Sequence, residues 1–238
     1  MAVLSNTSLS GDANLTTYYP LDGNSNDLAG TALNGTDTSI TYGASFGKYV
    51  QGASFNGTSS KILLGTEPAD LRFTGDFSIR AIIKKQADGV LMVIMSNAYN
   101  QEAGGGNRNG WSFRINSSNK LEVRLGLDTT SPTITSTNAV VTADGEFHDV
   151  CVVRSGNNWK FYIDGVLDST KSQSGTIRYA SSTPQAHIGA EYVTSVKYFF
   201  NGYVDDVATF NRALTDAEVL ELYEDIALSG GALLYLLT

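Results

Sequence analysis

The side chains best suited to hold a metal ion lie together near the start of the chain. Asp22, Asn24, Asn26 and Asp27 supply carboxylate and amide oxygens from one short segment, and Ca²⁺ prefers about six to eight such oxygens. The spacing is not that of an EF-hand, because Asp27 replaces the required glycine and Leu33 replaces the bidentate glutamate. The alternative is a simple turn in which Asx side chains bond the local backbone.

Three arginines form a second group of candidate residues. Arg80, Arg114 and Arg124 each lie on the polar side of an alternating apolar stripe. If their strands are neighbours, the guanidinium groups form a row on an exposed sheet face, and such a row would bind the carboxylate of a sialic or uronic acid bidentately. The alternative is a solvated face on which Glu122 pairs with them across strands and contributes little energy.

Tyrosines in polar segments provide another candidate surface. Tyr99, Tyr179, Tyr192 and Tyr198 have glycine, serine and threonine nearby, as is typical of loops. Tyrosines on loops mounted on a rigid scaffold suit sugar stacking, and they suit protein contacts equally. The predicted ligand-binding residues are Arg80, Arg114, Arg124, Tyr192 and Tyr198.

Residues suited to catalysis are few. Cys151, the single cysteine, alternates with valines in an apolar run, which predicts a small buried hydrophobe. His148 and His187 lie in predicted strands, where a histidine is more often packed and hydrogen-bonded than catalytic. Asp205 and Asp206 are adjacent, and consecutive strand residues point to opposite faces, so we expect no acid/base pair from them.

The composition restricts the class of protein. The 238 residues include 16 basic and 24 acidic side chains, for a net charge of −8, which argues against a nucleic-acid binder dominated by phosphate contacts. One cysteine cannot close an intrachain disulfide. Residues 1–10 show no secretory signal, and the apolar stretch 227–237 is about half the length that a membrane span requires.

Alternation with period two is the main structural signal, and it predicts strands. Two hairpins are predicted where strand pairs enclose turn residues, at Asn116–Asn119 and at Ser155–Asn158, and Asp164-Gly165 predicts a third turn. Helical period is clear once, after the capping box Thr215-Asp216-Ala217-Glu218. We therefore expect an all-β fold, an antiparallel two-sheet jelly-roll sandwich with one short C-terminal helix. The predicted divisions are an N-terminal arm (1–12), the sandwich domain (13–224) and an apolar C-terminal tail (225–238).

An ordered set of short motifs resembles the LamG-like jelly-roll domains of the concanavalin A-like lectin and glucanase superfamily. The motifs are YYPLDGNSND (18–27), ASFNG (53–57), TGDFSI (74–79), DGEFHDV (144–150), FYIDGV (161–166), FNGYVDDV (200–207) and FNRAL (210–214). Phe147 departs from the family's usual tryptophan and Asp149 from its usual second histidine. Both changes are compatible with a strand that packs one face inward.

The resemblance also implies a structural calcium ion where the opening loop meets the closing strand. On this basis the predicted ligands are Asp22, Asn24, Asn56 and Asp205, with Asp206 as the alternative to Asp205. The competing interpretation remains the Asx turn.

Taken together, these features predict a noncatalytic recognition or adhesion module that binds glycans or a protein partner, at an extracellular or virion surface. An alternative is a structural protein of an assembly, such as a bacteriophage virion appendage or decoration protein. The segment 227–238 is then a candidate oligomer contact, because its apolar residues are too numerous for a freely solvated tail. A polysaccharide-active enzyme is a further alternative.

Overall fold

The computed structural model describes residues 4, 7–30, 32–66, 68–99, 108–127, 130–138, 141–179, 185–193 and 195–229. The strands in chain order are β1 (Leu15–Tyr19), β2 (Thr36–Thr38), β3 (Thr41–Gly43), β4 (Gly52–Asn56), β5 (Lys61–Thr66), β6 (Phe77–Lys85), β7 (Met92–Tyr99), β8 (Asn109–Ile115), β9 (Leu121–Leu125), β10 (Thr133–Thr135), β11 (His148–Ser155), β12 (Asn158–Ile163), β13 (Val166–Ser172), β14 (Gln185–Ile188), β15 (Glu191–Tyr192), β16 (Val196–Lys197) and β17 (Asn201–Phe210). Short 3₁₀ turns cover Ser8–Gly11, Ala44–Phe46 and Ala69–Leu71, and one helix, α1, covers Asp216–Ser229.

The strands form two large antiparallel sheets and one small hairpin. The first sheet has the order β13-β12-β11-β6-β17-β4-β3, with β1 also paired to β17, and the second has the order β10-β9-β8-β7-β14-β5-β2. The hairpin consists of β15 and β16. The predicted antiparallel jelly-roll sandwich is confirmed, and so are the β8–β9 and β11–β12 hairpins.

The main core lies between the two sheets, where the apolar residues of the alternating stripes point inward. Phe77 and Ile79 of the first sheet face Trp111 of the second, and all three are fully buried. The Phe77 ring stacks on Phe73 with centroids 4.5 Å apart and meets Trp159 edge-on at 5.6 Å. Burial of these large apolar side chains is the main force that holds the sheets together.

A second core covers part of the outer face of the first sheet. Leu4 and Leu9 from the chain start, and Val219 and Leu222 from α1, are buried there against Tyr18 and other side chains of the sheet. For this reason the outward-facing Ser78 and Arg80 of β6 are buried. The described residues of the predicted arm are therefore packed onto the sandwich.

Helix α1 begins with the predicted capping box. Glu218 N donates to Thr215 Oγ1 (3.2 Å), and Thr215 N donates back to Glu218 Oε2 (2.7 Å). The helix continues to Ser229, beyond the predicted domain boundary at residue 224. Residues 230–238, which include most of the predicted tail contact, lie outside the described residues. Within the described part of the chain, no helix has both the length and the apolar composition needed to cross a bilayer.

Candidate ligand-binding face and carboxylate cluster

The predicted row of three arginines is divided between the two sheets. Arg114 on β8 lies opposite Glu122 of β9, and Ser112 lies opposite Arg124, so the two arginines are diagonal neighbours on the outer face of the second sheet. Arg80 lies on β6 of the first sheet. The prediction of one row was wrong because alternation indicates on which side of a strand a residue lies and not in which sheet.

Arg80 is fully buried and belongs to an internal ion pair. Its Nε and Nη2 donate to Asp149 Oδ2 at 2.9 and 2.6 Å, and its Nη1 donates to the carbonyl oxygen of Asp206 at 3.3 Å. Because its side chain is 0% exposed, it cannot touch a ligand. Arg80 instead supports the packing between β6, β11 and β17.

Arg114 is held by Glu122, as the alternative interpretation of this face required. The Arg114 Nε donates to Glu122 Oε1 at 2.6 Å, and Asn116 Nδ2 and Thr135 Oγ1 each lie 3.3 Å from Glu122 Oε2. Arg114 is nearly buried, whereas Arg124 is half-buried. Arg124 is thus the accessible member of the pair.

A further arginine, which the sequence analysis missed, lies beside this pair. Arg108 is fully buried and forms an ion pair with Glu191, and its Nη2 donates to Ser112 Oγ at 2.9 Å. Its Nε and Nη1 have no hydrogen-bond partner. Burial, and then the charges of Arg124 and Arg114, lower the pKa of Arg108 to about 10. The even numbering that Arg108 shares with Ser112 and Arg114 was the available sequence signal, because it places all three on the polar side of the stripe.

The β15–β16 hairpin contributes to the same side of the molecule. Glu191 of β15 is fully buried and its Oε2 lies 4.0 Å from Arg114 Nη1. The segment is tied to β7, because Ser96 Oγ donates to the Ala190 carbonyl (2.8 Å) and Val93 N donates to the Tyr198 carbonyl (3.0 Å). The structure therefore brings the half-buried Tyr192 and Tyr198 to the strand next to β8. We call Arg108, Arg114, Glu122, Arg124 and Glu191 the arginine–glutamate cluster.

Tyr179 does not join this surface. The Tyr179 hydroxyl lies 3.4 Å from the Leu71 carbonyl and 3.3 Å from the Phe73 carbonyl, and Arg72 packs over its ring. Tyr179 thus fastens the loop before β6. The side chain of Tyr99 lies outside the described residues.

The four predicted calcium ligands are not brought together. Asn56 Oδ1 accepts the backbone amides of Thr58, Ser59 and Ser60 at 2.9–3.0 Å and so closes the β4–β5 turn. Asn56 lies opposite Asn201, four residues along β17 from Asp205, which corresponds to about 13 Å. Asn56 is therefore not a ligand of the same ion as Asp205.

The side-chain oxygens of the opening loop largely accept hydrogen bonds from backbone amides of the protein itself. Asn24 Oδ1 accepts the amide of Asn26 (2.9 Å), as the Asx-turn interpretation predicts, and Asp22 Oδ1 accepts the amide of Gln51 (3.0 Å). Asp27 Oδ1 accepts the amides of Tyr18 (2.8 Å) and Ala29 (2.9 Å). Among the residues that the structure describes, no three His, Cys, Asp or Glu side chains are grouped closely enough to hold a metal ion.

Asp205 and Asp206 nevertheless lie on one side of β17. The ladder between β17 and β6 has a bulge between Asp205 and Ala208, and Asp206 has φ +43°. A bulge interrupts the alternation of side chains, so the expectation of opposite faces was wrong. Asp205 Oδ2 accepts the amide of Lys48 (2.9 Å), and Asp206 Oδ1 accepts the hydroxyl of Tyr18 (2.5 Å).

Both carboxyl groups are at most 2% exposed and are protonated more readily than usual. Burial raises the pKa of Asp206 to about 6, although the Arg80 charge opposes the shift. Burial and the neighbouring Asp206 raise the pKa of Asp205 well above its ordinary value. The pair is out of reach of a bulky substrate and is a site where Arg80 compensates the negative charge only in part.

Comparison with known proteins relates this chain to one superfamily. A family model described as "Concanavalin A-like lectin/glucanases superfamily" matches residues 56–220. No curated protein matches this sequence. At the identities given below, the similarity to solved structures shows the fold alone.

Three of these structures are binding domains. Domain 4 of AbnA, a GH43 extracellular arabinanase from Geobacillus stearothermophilus, in complex with arabinotriose, is 20% identical with a TM-score of 0.65, over 88% of this chain and 98% of that one. The Ruminococcus gnavus IT-sialidase CBM40 bound to alpha2,3 sialyllactose is 14% identical with a TM-score of 0.59, over 79% and 98%. The binding domain of Paraclostridial Mosquitocidal Protein 1 is 15% identical with a TM-score of 0.67, over 88% of this chain and about half (52%) of that one.

Proposed function

This chain belongs to the concanavalin A-like lectin/glucanases superfamily, and we propose that it is a noncatalytic recognition module that binds glycans at an extracellular or virion surface. The observation that carries the proposal is the arginine–glutamate cluster on the outer face of the second sheet. The solved structures that share the fold support it, because two of them are sugar-binding domains of larger enzymes.

The charge of the cluster favours an acidic sugar. Three guanidinium groups face two carboxylates there, although the whole protein carries a net charge of −8. Arg108 contributes positive potential from inside the fold, and Arg124 is the accessible group that would contact the ligand. A guanidinium group matches the planar carboxylate of a sialic or uronic acid. Tyr192 and Tyr198 would flank the sugar.

A glycan array that includes acidic and neutral oligosaccharides tests this proposal. We expect acidic glycans to bind, and calorimetry on the best of them should show at least a tenfold weaker association for Arg124→Ala. Lys171→Ala is the matched control, because it removes the same charge from β13 of the first sheet. Equal binding by Arg124→Ala and the parent chain, or no acidic glycan bound, would contradict the proposal.

A structural calcium ion remains a proposal, now confined to Asp205 and Asp206. Two adjacent buried carboxyl groups with raised pKa values suit a hard cation chemically, and Asp22 is the nearby residue of the original set whose charge acts on Asp206. An ion that binds only the native state must raise its stability. We expect calcium to raise the melting temperature and EDTA to lower it, and identical melting in both conditions would exclude the site.

An assembly role is the second candidate, and one surface feature favours it. Val166 and Leu220 are 68% and 39% exposed, and Leu220, in the first half of α1, packs against Gly165, the neighbour of Val166. If this region is an interface, truncation after Asp225 should leave a folded chain of lower oligomeric order in light scattering. If the truncated and full-length chains form particles with the same number of subunits, this role is rejected.

A further inference from the structure

Three aromatic side chains lie side by side on the outer face of the first sheet. Phe147 immediately precedes β11, Tyr203 is on β17, and Phe46 ends the 3₁₀ turn Ala44–Phe46. Tyr203 lies directly opposite Lys84 of β6, and β6 in turn pairs with β11 from His148 onward. We call Phe46, Phe147 and Tyr203 the aromatic row. All three are half-buried.

The aromatic row lies at one end of a face that is otherwise largely covered. The next positions along the same strands, Asp149, Ile82 and Asp205, are buried beneath Tyr49 and its neighbours. Beyond them the second core and α1 cover the sheet. The row is thus a bounded patch of aromatic surface.

The three rings are arranged as a tilted series. The Phe46 and Tyr203 centroids are 5.0 Å apart with an interplanar angle of 36°, and those of Phe147 and Tyr203 are 6.5 Å apart at 35°. Because neither pair is stacked face to face, neither neighbour covers the full face of Tyr203. The span of the series is comparable to two sugar rings in a chain.

Hydrogen-bonding groups border the rings. The exposed Gln86 donates through Nε2 to the Tyr203 hydroxyl at 2.7 Å, and Lys84 Nζ lies 5.4 Å from the Phe147 centroid. A sugar ring presents an apolar C–H face together with equatorial hydroxyl groups. An aromatic ring with an amide, a hydroxyl and an ammonium group at its edge is complementary to both parts.

The size and charge of the patch select the ligand. Three half-buried rings expose together at most about 200 Å², whereas a stable protein interface needs about 800 Å² from each partner. The exposed Glu146 beside Phe147 balances Lys84, so the patch has no charge preference for an acidic sugar. We propose that the aromatic row is a second glycan site and that it takes a neutral oligosaccharide. This inference rests on the proposed glycan-binding function but uses the opposite sheet.

Affinity electrophoresis tests the proposal with four soluble neutral polysaccharides, namely arabinan, xylan, mixed-linkage β-glucan and galactomannan. We expect at least one to retard the protein, and Tyr203→Ala to weaken that association at least tenfold. Tyr203→Phe keeps the ring and should retain most of the binding. Leu28→Ala, which removes an exposed apolar side chain (63%) elsewhere, is the matched control. Phe147→Ala is a second variant should Tyr203→Ala fail to fold.

The outcomes separate this site from the acidic one. Loss of neutral binding in Tyr203→Ala with retention in Arg124→Ala supports the aromatic row. Retardation by none of the polysaccharides, or equal retardation of Tyr203→Ala and the parent chain, overturns it, while acidic binding through Arg124 would still stand. Dimerisation that is lost in Tyr203→Ala would also overturn it, because the row would then be a contact between copies.

Discussion

The two histidines differ in protonation because their surroundings differ. His148 Nδ1 lies 2.8 Å from Asp164 Oδ2, and its Nε2 lies 3.1 Å from Asp144 Oδ2. The hydrogen bond to Asp164, supported by the one to Asp144, raises the pKa of His148 above its ordinary 6.5. His187 is buried and both ring nitrogens lack hydrogen-bond partners, and burial lowers its pKa to about 4.

His148 should make stability depend on pH. Its folded-state pKa is raised, so its contribution is fully present below about pH 6.5 and is lost as the pH rises through the folded-state value. We expect His148→Asn to lower stability at pH 5.5 by about 1 kcal/mol, with a smaller difference at pH 8.5. Urea unfolding at the two pH values measures this, and NMR titration should show His187 without a transition between pH 5.5 and 8.5.

Asp206 should also make stability fall as the pH rises, but because its ionised form is disfavoured in the fold. Because its pKa is raised to about 6, its ionisation destabilises the folded state as the pH rises from about 4 through that value. Asn at this position still accepts the Tyr18 hydrogen bond and tolerates positive φ. We expect Asp206→Asn, in the presence of chelator, to be more stable than the parent chain by about 3 kcal/mol at pH 7.5 and equal to it at pH 4. A destabilised variant at pH 7.5 would show that the charge is compensated.

At the scale of elements, β7 and β8 approach so closely at one position of β8 that only glycine fits there. Gly110 has φ +74°, and a Cβ there would overlap the Asn97 carbonyl oxygen of β7. Gly89, in the β6–β7 turn, has φ +73°, and a Cβ there would meet nothing within 4 Å. The two glycines therefore share the same backbone strain and differ only in the space around them.

This pair gives a controlled prediction. Gly89→Ala should cost about 1 kcal/mol, the price of placing a side chain at positive φ, whereas Gly110→Ala adds a clash between backbones and should cost several times more or prevent folding. Chemical unfolding of the two variants measures the difference. Equal losses would mean that β7 moves away at little cost.

At the scale of the whole molecule, the chain start and α1 together complete the outer core. Ser8 N and Oγ donate to Glu221 Oε1 and Oε2 at 2.7 and 2.8 Å, which fixes the first residues to the helix. Arg212 pairs with both Asp12 and Glu218. As a result the first sheet has a largely covered outer face, whereas the second sheet carries the arginine–glutamate cluster.

Substitution of Leu9 tests whether the chain start contributes to the second core. It is 3% exposed in the second core, so Leu9→Ala should lower the free energy of unfolding by about 2 kcal/mol or more. The exposed neighbour Ser10 gives the control Ser10→Ala, which should have little effect. If thermal and chemical unfolding of Leu9→Ala match those of the parent chain, the Leu9 side chain adds nothing to the stability of the fold.

The sequence by itself determined the local features of this protein. Period two predicted β6, β8, β9, β11 and β12, and turn chemistry predicted the β8–β9 and β11–β12 hairpins. The capping box located the start of α1. These features could be predicted because each depends on the conformational preferences of a few consecutive residues.

Only the tertiary structure decided which of these features meet. Arg80 and Arg114 share the same kind of pattern yet lie in different sheets, and Arg108 finds Glu191 from a distant hairpin. The bulge in β17 turned Asp206 to the side of Asp205 against the local rule. Strand order and bulges are set by packing and pairing between residues far apart in the chain, and alternation within one strand carries no record of its partners.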